Sequence, residues 1–407
     1  MTPKTTAPQT AERFSAAEIH AMDAALDAAL LGPRGANPLV GAVVVGPDGR
    51  QLVTGYHRGA GTAHAEADAI AQAGMQGIDL TGSTMVVTLE PCNHCGRTGP
   101  CAQAIIDAGI ASVVYAVDDP HDPAAGGAAT LRAAGVSVRS GLAARSAFEL
   151  NRRWFEAVLG QRPFVTLHIA QTLDSRIAAS DGTSQWISSP ESLADNHGLR
   201  SRVDAILVGT QTLLVDNPRL TARDASGKPA GSQPLRAVMG LRGIPDDAAI
   251  HGDDGRVLHL PTRDPHEALE KLFTAGVRHV MVEGGSSILS AFLAAGLVDE
   301  LIVYLAPTLL GSGTPALGDL GITTLADAQA WDWDQASGGA VQSLGRDLRL
   351  HLFPGSAEPA ARSAGPAESA EAPLPAAPAA PEPSLSLTSS PESLPHRTGA
   401  GTATGGN

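Results

Sequence analysis

Short apolar segments of strand length alternate with longer amphipathic segments from residue 15 to about 353, and this alternation constrains the fold more than any other feature. Ser15 is placed to cap a helix reaching to about Leu31, and residues 40–45, the turn Gly46-Pro47-Asp48-Gly49 and residues 51–55 read as a hairpin. Helices over 64–73, 101–108 and 128–134 then alternate with strands over 84–89, 111–117 and 136–139. That βαβ rhythm predicts a layered α/β domain.

A helix over about 144–159 ends at Gly160, and Pro163 restarts the chain as a strand over 164–169, which marks a domain boundary. Strands over 205–209, 235–239, 257–260 and 277–283, with a helix over 265–275, repeat the alternation. The chain therefore divides into an N-terminus of residues 1–14 expected to be flexible, a domain over 15–145, a linker helix over 146–162, a second domain over 163–354 and a tail over 355–407. The tail carries no aromatic residue and is rich in Pro, Ala and Ser, so it is expected to be disordered. With 407 residues, 43% of them hydrophobic, the chain can bury more than one core.

Charge and cysteine usage narrow the function. Against 42 acidic residues stand 28 basic ones, a net charge of −14, which disfavours a nucleic-acid partner. No secretory signal or run of bilayer length is visible, so no membrane partner and a cytoplasmic location are expected. The three cysteines fall between positions 92 and 101, which speaks for metal ligation rather than a disulfide framework.

The strongest chemical signal is His64-Ala65-Glu66 followed by Pro91-Cys92, Cys95 and Cys101, the residue types of zinc nucleobase deaminases. One imidazole and two thiolates leave a fourth tetrahedral position open for a water of lowered pKa, and Glu66 is the candidate proton shuttle. Spacing alone leaves open whether Cys95 or Cys101 is the third ligand. In the second domain, Glu283-Gly284-Gly285-Ser286-Ser287 between a strand and a helix is a candidate phosphate cradle.

Residues 34–101, with Asn37-Pro38, Val40-Gly41, Gly55-Tyr56-His57, His64-Ala65-Glu66 and the run from Glu90 to Cys101, resemble the deaminase half of the bifunctional riboflavin-pathway deaminase/reductase. Residues 163–353 resemble its reductase half through Thr172-Leu173-Asp174, Gly182 to Ile187, Leu199-Arg200, Asp216-Asn217-Pro218 and Val282-Glu283-Gly284-Gly285. The resemblance implies an α/β protein in which a cytidine-deaminase-like three-layer domain precedes a dihydrofolate-reductase-like α/β domain. It implies Zn2+ on His64, Cys92 and Cys101, with Cys95 a nearby free thiol, and Glu66 as catalytic residue. It places NADPH against Ala170, Trp186, Thr212, Asp216, Gly284, Gly285, Ser286 and Ser287. The ribosyl-phosphate pyrimidine substrate is expected against Asn37 in the first domain and against Ser184, Arg200, Leu220, Arg223 and Glu283 in the second; His57 and Arg97 are further candidates for ring or phosphate contacts. A homo-oligomer is compatible with the sequence. Three positions depart from the family: His168 where lysine is usual, Gln171 for a small residue and Ser175 for glycine. The alternative expectation is accordingly an active deaminase joined to a reductase that is inactive or altered in substrate.

Overall fold

Ser15 opens the fold with a capping box. Its hydroxyl accepts the Glu18 N–H while the Glu18 carboxylate accepts the Ser15 N–H at 2.8 Å, at the head of α1 (Ala16–Ala29). The computed structural model describes residues 14–355 apart from 60, 94–98, 121–125, 225 and 336–338. The expectations of a flexible start over residues 1–13, a free thiol at Cys95, a role for Arg97 and a disordered tail beyond residue 355 lie outside the described residues.

After α1 come β1 (Gly41–Val45), β2 (Gln51–Tyr56), α2 (Ala65–Gln76), β3 (Thr84–Leu89), α3 (Cys101–Asp107), β4 (Ser112–Val117), α4 (Gly127–Ala133) and β5 (Ser137–Ser140). The five strands form one sheet in the order β2-β1-β3-β4-β5. The hairpin expected over residues 40–55 is β1 and β2, antiparallel because the turn at residues 46–50 is too short for the crossover that a parallel neighbour needs. β1 is antiparallel to β3 as well, whereas β3, β4 and β5 run parallel through their connecting helices. Helices α2, α3 and α4 bury one face of the sheet through Ala69, Ile105 and Leu131. The other face packs Val43, Val86 and Val114 against Met22 and Ala25 of α1 and Ala147 of α5 (Ala144–Gly160), so this half has three layers.

The chain continues through β6 (Phe164–Thr172), β7 (Arg176–Ala178), α6 (Pro190–Arg200), β8 (Ala205–Gly209), α7 (Thr210–Asp216), β9 (Leu235–Met239), β10 (Val257–Leu260), α8 (Pro265–Thr274), β11 (His279–Val282), α9 (Ser286–Ala294) and β12 (Glu300–Ala306). It closes with β13 (Thr314–Pro315), β14 (Trp331–Trp333), β15 (Val341–Leu344) and β16 (Asp347–Pro354). The second sheet runs β10-β9-β8-β11-β6-β12-β16-β14, with β15 also on β16; β7 pairs with β13 apart from it. Its members from β10 to β12 are parallel and near-continuously apolar, as strands covered on both faces must be, whereas β14, β15 and β16 pair antiparallel. The first strand extends past the expected residue 169 to Thr172, which carries Ala170 and Gln171 on regular backbone.

Both sheets lie in one compact unit, and α5 is fastened to each. Asn151 exchanges two 2.8 Å hydrogen bonds with the backbone of Leu39, and Trp154 Nε1 donates to the Ala36 carbonyl at 3.0 Å. On its other side Arg153 pairs with the buried Glu300 of β12. Among the described residues, no helix is long and apolar enough to cross a membrane.

Candidate active sites

Periodicity places residues 64–66 inside a helix, but His64 is the N-cap of α2, in extended conformation, and Glu66 is its second helical residue. The two side chains thereby leave the backbone in different directions onto one site. Gly55 makes this possible: a Cβ there would meet the Ala65 carbonyl oxygen at 2.3 Å and the Ala69 nitrogen at 2.4 Å, so only glycine lets α2 lie this close to β2. Cys92 follows the end of β3, and Cys101 begins α3 after Pro100.

His64 Nδ1 is 3.4 Å from Cys92 Sγ and 3.4 Å from Cys101 Sγ. One nitrogen and two sulfur donors within 4.8 Å of one another match the donor set and spacing of a tetrahedral zinc with an open position. The Cys101 sulfhydryl above all, and His64 after it, pull the Cys92 thiol down against the opposing effect of burial, which favours the thiolate form that a cation needs. Glu66 is 3% exposed, and burial first, then the Cys92 charge, pushes its carboxyl up to about 7.

A cavity of about 260 Å³ opens onto these groups. Asn37 reaches into it, held by His57: His57 Nδ1 lies 3.1 Å from the Ala63 carbonyl, and Nε2 lies 2.9 Å from Asn37 Nδ2. With Nδ1 donating and Nε2 accepting, the amide oxygen of Asn37 is left without a partner among the described residues. His57, a candidate for ring or phosphate contact from sequence, thus has both nitrogens engaged and orients Asn37. The far wall consists of residues that the sequence did not single out: Trp154 and Val158 from α5, and Arg278 from the turn before β11.

The second domain holds a cavity of about 600 Å³ over the ends of β6, β8 and β11. Ala170, Ser184, Trp186, Arg200, Thr212, Asp216, Leu220, Arg223, Glu283, Gly284 and Gly285 line it; Ser286 and Ser287 do not. Gly284 is required by close approach, since a Cβ there would lie 2.8 Å from the Gly209 nitrogen. Thr212 Oγ1 accepts the Gly285 N–H at 2.9 Å and fixes the turn into α9. Arg200 and Glu283 form a two-pronged pair, Nε to Oε1 at 2.8 Å and Nη2 to Oε2 at 2.5 Å, so Arg200 is committed to a carboxylate while Arg223 is exposed. His168 lies in the same cavity, 7% exposed and edge-on to Tyr304, and its Nε2 has no hydrogen-bond partner among the described residues. Burial pulls that imidazole down to about 4, hence it is neutral at pH 7.

Residues 16–117 match the cytidine and deoxycytidylate deaminase zinc-binding region, and residues 163–337 match the RibD C-terminal domain. The riboflavin biosynthesis protein RibD of Mycobacterium tuberculosis (strain H37Rv) is 44% identical over 316 residues, 77% of this chain and 90% of that protein. The chain belongs to the RibD family. RibD of Escherichia coli (strain K12) is 35% identical over 350 residues, 78% of this chain and 93% of its own. In three dimensions Acinetobacter baumannii RibD matches with a TM-score of 0.74 and 33% identity, over 84% of this chain and 99% of that one. A Thermotoga maritima protein, described as a diaminohydroxyphosphoribosylaminopyrimidine deaminase/5-amino-6-(5-phosphoribosylamino)uracil reductase, matches at 0.73 and 30%, over 83% and 99%. As a RibD the chain is an enzyme of riboflavin biosynthesis with a zinc-binding deaminase half and an NADPH-using reductase half. The fold class, the two activities and both cofactors read from sequence are those of the family.

Proposed function

We propose that the chain deaminates 2,5-diamino-6-(5-phosphoribosylamino)pyrimidin-4-one to 5-amino-6-(5-phosphoribosylamino)uracil, then reduces the ribosyl group of that product to ribityl phosphate. The observation that carries the first step is the His64, Cys92 and Cys101 donor set beside a buried carboxyl in one cavity. In this reading those three side chains hold zinc, which when bound supplies a water acidified toward neutral pH. Glu66 takes a proton from water and delivers it to the departing amine, so that a C–N bond breaks, a C–O bond forms and ammonia leaves. Asn37, oriented by His57, offers its amide oxygen to the ring.

The second step uses the larger cavity. NADPH supplies the hydride. Ala170, Trp186, Thr212, Asp216 and the Gly284-Gly285 turn are assigned to the cofactor, and Ser184, Arg200, Leu220, Arg223 and Glu283 to the substrate. Ser286 and Ser287, at the start of α9 and not in the cavity lining, remain assigned to the cofactor as part of the same turn. The alternative of an inactive reductase rests on His168, Gln171 and Ser175, yet β6 carries the first two in regular register beside a fully formed cavity. Residues 15–145 and 163–354 are the working halves, joined by the helix over 146–162. Two thiolates kept as metal ligands suit a reducing compartment, which supports a cytoplasmic location. The partners are then a small-molecule pyrimidine and NADPH; a homo-oligomer is a further part of the reading, checked by sedimentation.

The deciding assay supplies zinc-loaded protein and NADPH with the diamino substrate alone and follows ammonia release and NADPH oxidation together. Both signals, with ammonia first, are expected. Ammonia without oxidation would remove the second step, and silence in both would overturn the proposal.

A further inference from the structure

The deaminase cavity is completed by a residue from the other half of the chain. Arg278 precedes β11 in the nine-stranded sheet, yet it lines the cavity that holds His64, Glu66 and Cys92. Its guanidinium is fixed from behind. Nη1 donates to the carbonyls of Phe273 at 2.9 Å and Val277 at 3.1 Å, and the guanidinium carbon sits 3.9 Å from the centroid of the Phe273 ring. Nε and Nη2 have no acceptor among the described residues, and no carboxylate there forms an ion pair with Arg278. Asp204, a nearby carboxylate, instead spends one oxygen on the backbone N–H groups of Arg278 and His279, at 2.8 and 2.9 Å.

Asn37, Trp154 and Arg278 line both this cavity and a smaller adjoining space, an annex whose wall bears Arg34, Arg153, Arg202 and Arg278. Of these four only Arg153 has a carboxylate partner among the described residues, Glu300. Arg34 keeps solvent access, yet the protein packed around it and the Arg153 and Arg202 charges bring its guanidinium down to about 10. Asp204 lines the same annex and acts on both Arg34 and Arg278, but four arginines outnumber that one carboxylate, and an anion placed among them is stabilised. The charge is thus graded: Glu66, Glu90 and Asp119 line the cavity with the zinc-ligand candidates, whereas the annex carries four arginines against the single carboxylate Asp204.

We propose that Arg278, with Arg34 in the adjoining annex, forms the phosphate subsite of the deamination step, so that the reductase half donates a substrate-binding residue to the deaminase half. This rests on the deaminase reading above. The pyrimidine amine lies at the His64 and Cys92 end, and the ribose 5-phosphate reaches the arginine end, where the free Nε–Nη2 edge of the Arg278 guanidinium can bind two phosphate oxygens at once.

The test uses the full zinc-loaded chain and measures ammonia release with the phosphorylated substrate, with its dephosphorylated counterpart, and with inorganic phosphate as a competitor. Arg278→Gln is expected to raise KM for the phosphorylated substrate at least about tenfold, to change kcat and the dephosphorylated substrate little, and to abolish inhibition by phosphate. Arg34→Gln moves the same quantities less. NADPH oxidation with the deaminated intermediate reports on folding, because Arg278 does not line the reductase cavity. An unchanged KM with phosphate inhibition intact overturns the inference, as does an equal loss on both substrates. Should Arg278→Gln fail to oxidise NADPH, Arg278→Lys and Arg34→Gln decide: the subsite predicts that lysine, a point charge without the fork, retains inhibition by phosphate at a clearly reduced affinity, and an unchanged Arg34→Gln overturns it. Wild-type protein that releases no ammonia from either substrate would refute the deaminase reading itself, which is a distinct result.

Discussion

Ser175 sits at φ 58°, in the left-handed region where the family carries glycine, and its N–H donates to the Thr172 carbonyl in the turn between β6 and β7. A side chain there costs roughly 1 kcal/mol that glycine avoids. Ser175→Gly should therefore stabilise the chain by about 0.5–1 kcal/mol, read as a higher denaturant midpoint at unchanged slope; a lower midpoint would mean that the hydroxyl makes a contact worth more than the strain. His168 gives a pH-dependent prediction. Its imidazole titrates near 6.5 when unfolded and is pulled down to about 4 by burial, so the unfolded chain binds the extra proton between those values. The contribution of the neutral imidazole is complete above about pH 6.5 and is lost as pH falls toward 4, for a total of about 3 kcal/mol. His168→Gln should flatten the fall of the denaturant midpoint between about pH 6.5 and 5; an unchanged slope would mean that this imidazole is not buried in its neutral form.

At the scale of elements, α5 links the two sheets, and Arg153 is its anchor on the reductase side. Glu300 is 1% exposed and also accepts from Thr166 Oγ1, with His351 Nε2 at 2.6 Å, so its charge is held by a network that only Arg153 of α5 extends across the boundary. Arg153→Met should cost about 1–3 kcal/mol, less than stranding a buried carboxylate because Thr166 and His351 still hold Glu300, and adding Glu300→Gln should recover much of that loss. Equal midpoints for wild type and Arg153→Met would show that the pair does not bear on stability. This element also marks where sequence stopped being informative. Its helix was legible from periodicity and from Gly160 before Pro163, and His64, Glu66, Cys92 and Cys101 were legible because zinc chemistry ties residue types to short spacings. Trp154, Val158 and Arg278 were not, since they reach the deaminase cavity only once α5 and the second sheet are packed, and nothing in their own neighbourhoods encodes that meeting. His64 as an N-cap rather than a helical residue was likewise hidden, because the cap depends on how closely Gly55 lets α2 approach.

For the whole molecule, the two cavities share no lining residue, although Arg278, from the turn before β11, reaches the deaminase cavity. The reductase cavity is lined from β6, β8, α6, α7 and the β11–α9 turn, and none of its lining residues is a zinc-ligand candidate. Removing zinc should therefore abolish ammonia release while NADPH oxidation, started from the deaminated intermediate, stays within about twofold of its original rate. Against such independence stands α5 itself: loss of metal-binding energy loosens the start of α2 and the start of α3, and strain there has a route through Leu39 and Asn151 to the helix that Arg153 ties to β12. Magnitude decides between them. The Asn151 contact consists of two neutral hydrogen bonds worth about 1 kcal/mol each, whereas the second sheet keeps its own apolar core around Leu167, Leu207, Val282 and Phe292. The weaker link should yield first, leaving the reductase folded. Parallel loss of both activities on chelation, restored together by zinc, would instead show that the halves fold as one cooperative unit.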